Sequence, residues 1–304
     1  MSMIFRACSA VLFIVIMACN NATDTSKPAF DWSIQQDSST VAFTVEGLKG
    51  PEAVRYDAEH DVYFIANFNG GGNVMDANGF ITRVSADGEI TDLEFMTGTE
   101  AHPLHAPRGM FIANNVLHAA DVQGVHQFDT QSGEQIGFID FMSMEPGFLN
   151  DITIDQSGSI FVTDTGKPVV YRVSGDQIDV IVDDLPINPN GISQHPLTNE
   201  LVLGSWGGDS LVYSIQSDFS IHTFAELTGG YYDGLEFIDS NLIITSQKDN
   251  SVRRFHPEEG EQIILHTPGK PADIGLDTKR YRIAVPYIAL NKVDFWDIPR
   301  QSND

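Results

Sequence analysis

Six polar or charged residues, Glu52, Arg108, Asn150, Asn190, Asp233 and Asp273, each open a stretch of alternating apolar residues, at intervals of 56, 42, 40, 43 and 40. Four of them carry oxygen donors. Glu52 and Asp233 supply carboxylates, and Asn150 and Asn190 supply carboxamides, a hard-oxygen set with two negative charges. Such a set suits Ca²⁺, which takes ~6–8 oxygens and would leave about three places for water or substrate. Mn²⁺ and Mg²⁺ accept the same donors, so ligand type alone does not choose among the three ions. Taken singly, each of these residues has another use, because Asn and Asp cap strand ends in turns, as NDI, PNG and YDG would each allow.

The four donors act together only if the chain gathers them. The clearest copy of the surrounding unit is residues 149–165, LNDITIDQSGSIFVTDT, in which two alternating runs are joined by a turn. Variants of it begin at Pro51, Pro107, Pro189, Tyr232 and Ala272. Repeats of ~40–50 residues built only from short strands mark a β-propeller, whose blades cannot bury their faces alone. The expectation is an all-β, six-bladed β-propeller with the six opening residues at one end of its central channel. The last copy offers three strands, ADIGLD, RIAVPY and KVDFWDI, while TVAFTVE precedes the first copy. The N-terminal strand should therefore close the last blade, which removes exposed sheet edges.

Three loops fall at the rim of such a ring. Residues 67–80, NFNGGGNVMDANGF, are rich in glycine, but no Gly-Lys-Ser/Thr follows, so they read as a loop over the channel mouth and not as a phosphate cradle. Residues 142–148 and 98–107 are the other two, the second carrying His102 and His105. No cysteine or helical His pair supports zinc there, and surface histidines are the ordinary reading. His118, inside VLHAAD, reads as a packed residue, and no G-x-S-x-G elbow exists.

The N-terminus stands apart. Arg6 precedes an apolar run, residues 10–18, that ends at Cys19. The run is too short to cross a ~30 Å hydrocarbon core and reads as an export signal. It resembles a bacterial lipoprotein signal with Cys19 as the lipidated residue, Ile16 and Met17 being imperfect matches; an ordinary cleaved signal or a short anchor is the alternative. The expected organisation is a signal peptide over 1–18, a flexible tether over 19–39 and the propeller over 40–304. The protein would then be exported and held on the periplasmic or cell-surface side by a lipid. Cys8 lies in the signal, so the propeller has no disulfide.

Charge excludes some partners. Without the first 18 residues the chain holds 16 basic and 42 acidic side chains, a net charge of −26. Such a surface repels nucleic acid and anionic headgroups, leaving a small molecule as the expected partner of a monomer.

GPEAV at Gly50, LNDITID at Leu149, PNGI at Pro189 and YDGLEF at Tyr232 together resemble the four metal-binding segments of the calcium-dependent six-bladed propellers. That family includes senescence marker protein, gluconolactonase, diisopropylfluorophosphatase and the paraoxonases. The resemblance covers residue 50 to about Trp296 and implies a Ca²⁺-dependent hydrolase of lactones, related esters or phosphotriesters. It places the ion on Glu52, Asn150, Asn190 and Asp233, with Asp233 also the catalytic base or nucleophile. It makes Asp151 a neighbour that orients the ligands through hydrogen bonds. Sugar lactonases of this family carry Arg where this chain has Phe148, and paraoxonases carry a catalytic His where it has Arg108. Both positions are thus candidates for substrate contact, Arg108 through a substrate carboxylate or phosphoryl group. A salt bridge from Arg108 to Asp151 or another channel acid is the alternative. The competing class is a non-catalytic, membrane-tethered binding scaffold of the NHL kind, because propellers serve many functions.

Overall fold

A computed structural model of the protein describes residues 39–299. The signal segment, Cys19 and all of the tether except Ser39 lie outside the described residues. The alternating stretches fold into six four-stranded antiparallel sheets arranged as a ring, a six-bladed propeller. The described residues contain no α-helix, only 3₁₀ turns at Met142–Met144 and Ile288–Leu290. The innermost strands are Pro51–Asp57, Met110–Ala113, Leu149–Ile154, Pro189–Gln194, Tyr232–Ile238 and Gly275–Asp277. Turn chemistry joins them to their neighbours. In blade two, Asn114 and Asn115 both take positive φ (51° and 63°), the two-residue hairpin geometry that asparagine tolerates.

The second strand of each blade is buried almost continuously, as Ile160–Asp164 and Asn241–Ser246 are at every residue, so each blade has two faces that only its neighbours can cover. Six buried clusters do this, one at every seam between consecutive blades. The seam between blades six and one is closed by the N-terminal strand. Thr40–Glu46 pairs with Lys292–Asp297 to complete the last blade, in the order first strand, last strand, then inward to Gly275–Asp277. Phe43 stacks on Phe295 at 4.4 Å, and Val45 packs among Val54, Tyr63 and Val293.

This seating gives an internally controlled test. Val45 is 1% exposed and Val41, on the same strand, is 43% exposed. Val45→Ala removes buried methyl groups and leaves a cavity, so it should cost about 2 kcal/mol. Val41→Ala should stay within ~0.5 kcal/mol. Equal shifts of the two variants in thermal melts would show that the strand is not seated with Val45 inward.

Candidate metal centre

The inner strands that carry oxygen donors share a defect that the other two lack. Pairing with the second strand slips between Pro51 and Val54, Leu149 and Ile152, Pro189 and Ile192, and Tyr232 and Leu235. A bulge sets two residues against one and re-aims a side chain, and these four bulges fall on Glu52, Asn150, Asn190 and Asp233. In blades two and six the register runs without a slip from Met110 and Gly275, and ahead of it the N–H groups of Arg108 and Ala272 donate to the Ala120 and Pro286 carbonyls at 2.9 and 3.0 Å. Threonines satisfy the backbone that bulging frees. The N–H groups of Asp151 and Gly234 donate to Thr163 and Thr245 Oγ1, at 3.0 and 2.8 Å. Those hydroxyls donate in turn to carbonyls of the next blade, at Asn190 (2.6 Å) and Ala272 (3.2 Å).

The inner strands also approach one another closely. A Cβ on Gly191 would lie 1.9 Å from the Asp233 carbonyl oxygen, and one on Gly234 would lie 2.4 Å from the Ile274 nitrogen. The glycines of PNG and YDG are therefore set by contact between blades. They are not turn residues, and Asn190 and Asp233 are not turn caps.

The four donors line one cavity of about 400 Å³. Asn150 donates through Nδ2 to Thr165 Oγ1 at 2.9 Å, which commits its amide nitrogen and leaves Oδ1 as the donor atom. Gln247 Nε2 donates to Asp233 Oδ2 at 2.7 Å and fixes that carboxylate. Glu52 Oε2, Asn190 Oδ1 and Asp233 Oδ1 are buried acceptors without a hydrogen-bond partner. Buried acceptors are seldom left so, and three of them at one cavity from three blades fit a hard cation. Among the described residues no three His, Cys, Asp or Glu side chains form a metal cluster. The channel set reaches four oxygens only by including its two carboxamides.

The electrostatics favour a cation at this site. Burial raises the Glu52 carboxyl well above its ordinary range, and Asp233, Asp273 and Asp151 push it further up, against Arg108. Burial likewise raises Asp233, with Asp273 adding to it and the Gln247 hydrogen bond opposing. A second charged layer lies around Arg55, whose guanidinium meets Asp273 at 2.9 Å, Asp151 at 3.4 Å and Glu236 at 3.7 Å. Burial works against the charge on Arg55, but Asp273, Glu236 and Asp151 more than offset it. Burial also lifts the Glu236 carboxyl to about 7 despite Arg55. Five channel acids thus face two arginines, Arg55 and Arg108.

A pH dependence follows from these directions. Carboxyls whose folded pKa is raised bind protons more tightly folded than unfolded, so their contribution is present at low pH and lost as pH rises from ~4. Of these carboxyls, Glu236 completes its loss near pH 7, its pKa being about 7. A cation must displace those protons. The rise in Tm on adding Ca²⁺ should therefore grow between pH ~4 and 7, as followed by thermal melts in calcium and in chelator. A calcium effect that is flat or shrinks across that range would count against the cage.

Asp151 accepts from the backbone N–H of Ile152 (2.8 Å) and Ile192 (2.9 Å), tying its blade to the strand that carries Asn190. Arg108 differs from both expectations. It is 0% exposed and donates to the carbonyl oxygens of Leu149 (2.8 Å) and Gly72, while its guanidinium lies 3.7 Å over the Phe148 ring. The backbone and the ring hold it away from a substrate, and the Asp151 salt bridge goes to Arg55. Burial lowers the Arg108 pKa to about 10. Phe148 itself lines the cavity. The rim loops meet above it, where Asn73 Nδ2 reaches the Gly147 carbonyl at 3.5 Å. His105 is buried and accepts from Ala77 N–H at 2.9 Å, and His102 stacks on Phe138 at 4.7 Å, so both brace loops. His118 is buried, and burial lowers its pKa to about 4.

A further ring of cavity residues escapes a reading of the strand starts. Phe68, Thr165, Trp206, Gln247 and Ile288 each follow immediately on the second strand of a blade. Thr165, Trp206, Gln247 and Ile288 recur at intervals of 41, a signal present in the sequence.

No known family profile and no curated protein matches the chain. Its fold is similar to that of a gluconolactonase from Xanthomonas campestris, at 14% identity over 91% of this chain and 96% of that one, TM-score 0.67. It is similar to virginiamycin B lyase from Staphylococcus aureus, at 13% identity over 84% and 99% of the chains, TM-score 0.58. It also resembles a chain of a nidogen/laminin complex, at 19% identity over 72% and 90%, TM-score 0.55. The resemblance to gluconolactonases holds as a shared six-bladed fold, and the same ring occurs in proteins with other tasks.

Proposed function

We propose that the protein is a metal-dependent hydrolase of lactones or related esters, with Ca²⁺ as the ion, working at the mouth of the propeller channel. The observation that carries this reading is the convergence of three unpartnered buried oxygens, on Glu52, Asn190 and Asp233, in a cavity large enough for a small molecule. The ion, when bound, polarises the substrate carbonyl and offsets charge developing on its oxygen. Glu52, Asn150 and Asn190 hold that ion with Asp233. Asp233, whose carboxylate Gln247 fixes, takes a proton from the attacking water. The water oxygen bonds to the acyl carbon, the ring C–O bond breaks, and the alkoxide so released takes up the proton. Phe68, Phe148, Trp206 and Ile288 keep bulk water from the reacting groups.

The test is a hydrolysis screen of lactones, aryl esters and phosphotriesters with calcium and with chelator. Activity on at least one lactone or ester that vanishes on chelation and returns with Ca²⁺ is the expected result. No turnover anywhere, with a folded and calcium-loaded protein, would move the chain to the class of binding scaffolds.

A further inference from the structure

The cavity divides by chemistry. Its polar lining is the oxygen donors with Thr165 and Gln247, which bond to Asn150 and Asp233, whereas its apolar wall is Phe68, Phe148, Trp206 and Ile288. The wall is built to stay as it is. Asp164 accepts from the N–H groups of Phe148 (2.6 Å) and Gly147 (2.8 Å), and the Arg108 guanidinium backs the Phe148 ring at 3.7 Å. Trp206 packs edge-on against Tyr231 at 5.7 Å. The Phe68 and Phe148 rings converge on Gly72, where a Cβ would meet them at 3.2 and 3.6 Å. Arg108, which touches this wall at Phe148, donates to the Leu149 and Gly72 carbonyls and is covered by the Phe148 ring.

We infer that the ligand of this site carries an apolar aryl or alkyl group seated on Phe68, Phe148, Trp206 and Ile288, and that a polyhydroxylated ring is a poor fit. The inference rests on the hydrolase reading for the reactive group and on the wall for the rest. Hydroxyls of a sugar-like ring would be desolvated against aromatic carbon with nothing to accept or donate, which is unfavourable. An aryl or alkyl group would instead remove apolar surface from water on both sides, and a fixed wall loses little freedom on binding. Asn150 Nδ2 and Thr165 Oγ1 are committed to each other and to the Pro189 carbonyl, and Gln247 Nε2 to Asp233, so the polar lining adds recognition mainly at the reacting carbonyl.

The test uses lactams, which present the ring carbonyl but resist hydrolysis. A phenyl-substituted δ-valerolactam and a trihydroxylated, hydroxymethyl-bearing δ-valerolactam are titrated by calorimetry into the protein in calcium buffer. The phenyl compound should bind ~10-fold or more tightly than the hydroxylated one. Phe148→Ala and Trp206→Ala should each weaken the phenyl compound ~10-fold or more while leaving Ca²⁺ binding unchanged, and Trp206→Phe should recover most of the loss. Equal or tighter binding of the hydroxylated lactam, binding of neither, or a phenyl-lactam affinity that the wall variants leave unmoved would each overturn the inference. If the lactams behave as expected but the matching phenyl lactone is not hydrolysed, the ligand class stands and the hydrolase reading fails.

Discussion

Asp233→Asn should abolish nearly all turnover while the protein still folds and still binds Ca²⁺ more weakly. The substitution keeps the side-chain size and an oxygen donor but removes one of two carboxylate charges, and charge count tunes calcium affinity. It also removes the proton acceptor, and loss of a general base ordinarily costs ~10²–10⁴ in rate. Gln247 donates to Asp233 Oδ2; beside an asparagine its amide can turn so that Oε1 accepts from the Asn Nδ2, which leaves the one carbonyl oxygen for the ion. Full activity in Asp233→Asn would remove Asp233 from the mechanism. A fall in KM-related binding alone, with kcat intact, would make it a ligand and nothing more.

Arg55→Met should be the most destabilising single substitution in the channel. Among the described residues Arg55 is the one cation paired with Asp151, Asp273 and Glu236. Breaking a buried pair by removing one partner costs about 3–5 kcal/mol because the other charge stays buried and uncompensated. For a domain of this size ~2–4 °C of Tm accompanies each kcal/mol, so a loss of roughly 6–20 °C is expected. Adding Asp273→Asn to Arg55→Met should recover part of that loss, since Asp273 makes the shortest contact with Arg55. Additive effects in the double variant, or a melt unchanged by Arg55→Met, would show that the layer around Arg55 is not coupled by charge.

Much of this architecture was legible in the sequence because it depends on local alternation repeated at blade spacing. The six opening residues, the N-terminal strand that closes the ring and the three rim loops all follow from period-two patterning and turn chemistry, which are short-range. The four oxygen donors were legible for the same reason, as they recur at one position in the repeat. What could not be read depends on the path of the chain between blades. The bulges at Glu52, Asn150, Asn190 and Asp233 arise from strand pairing, and a single sequence does not show where pairing slips. Arg55 sits three residues beyond a donor in an apolar run, and its partners are 96, 181 and 218 residues away, so nothing local announces the pair. The surroundings of Arg108 were not legible because they are set by Gly72 and Phe148, which come from two different loops. In PNG and YDG a capping role for Asn190 and Asp233 stayed open, because a glycine after them serves close approach and turning alike.

The central claim is that Glu52, Asn150, Asn190 and Asp233 hold one calcium ion. Calorimetric titration of the metal-free protein with Ca²⁺, beside Asp233→Asn under identical conditions, tests it most directly. The account predicts a single saturable site in the wild type and a markedly weaker one in the variant. Absence of calcium binding to the wild type, or equal affinity in the two proteins, would contradict it.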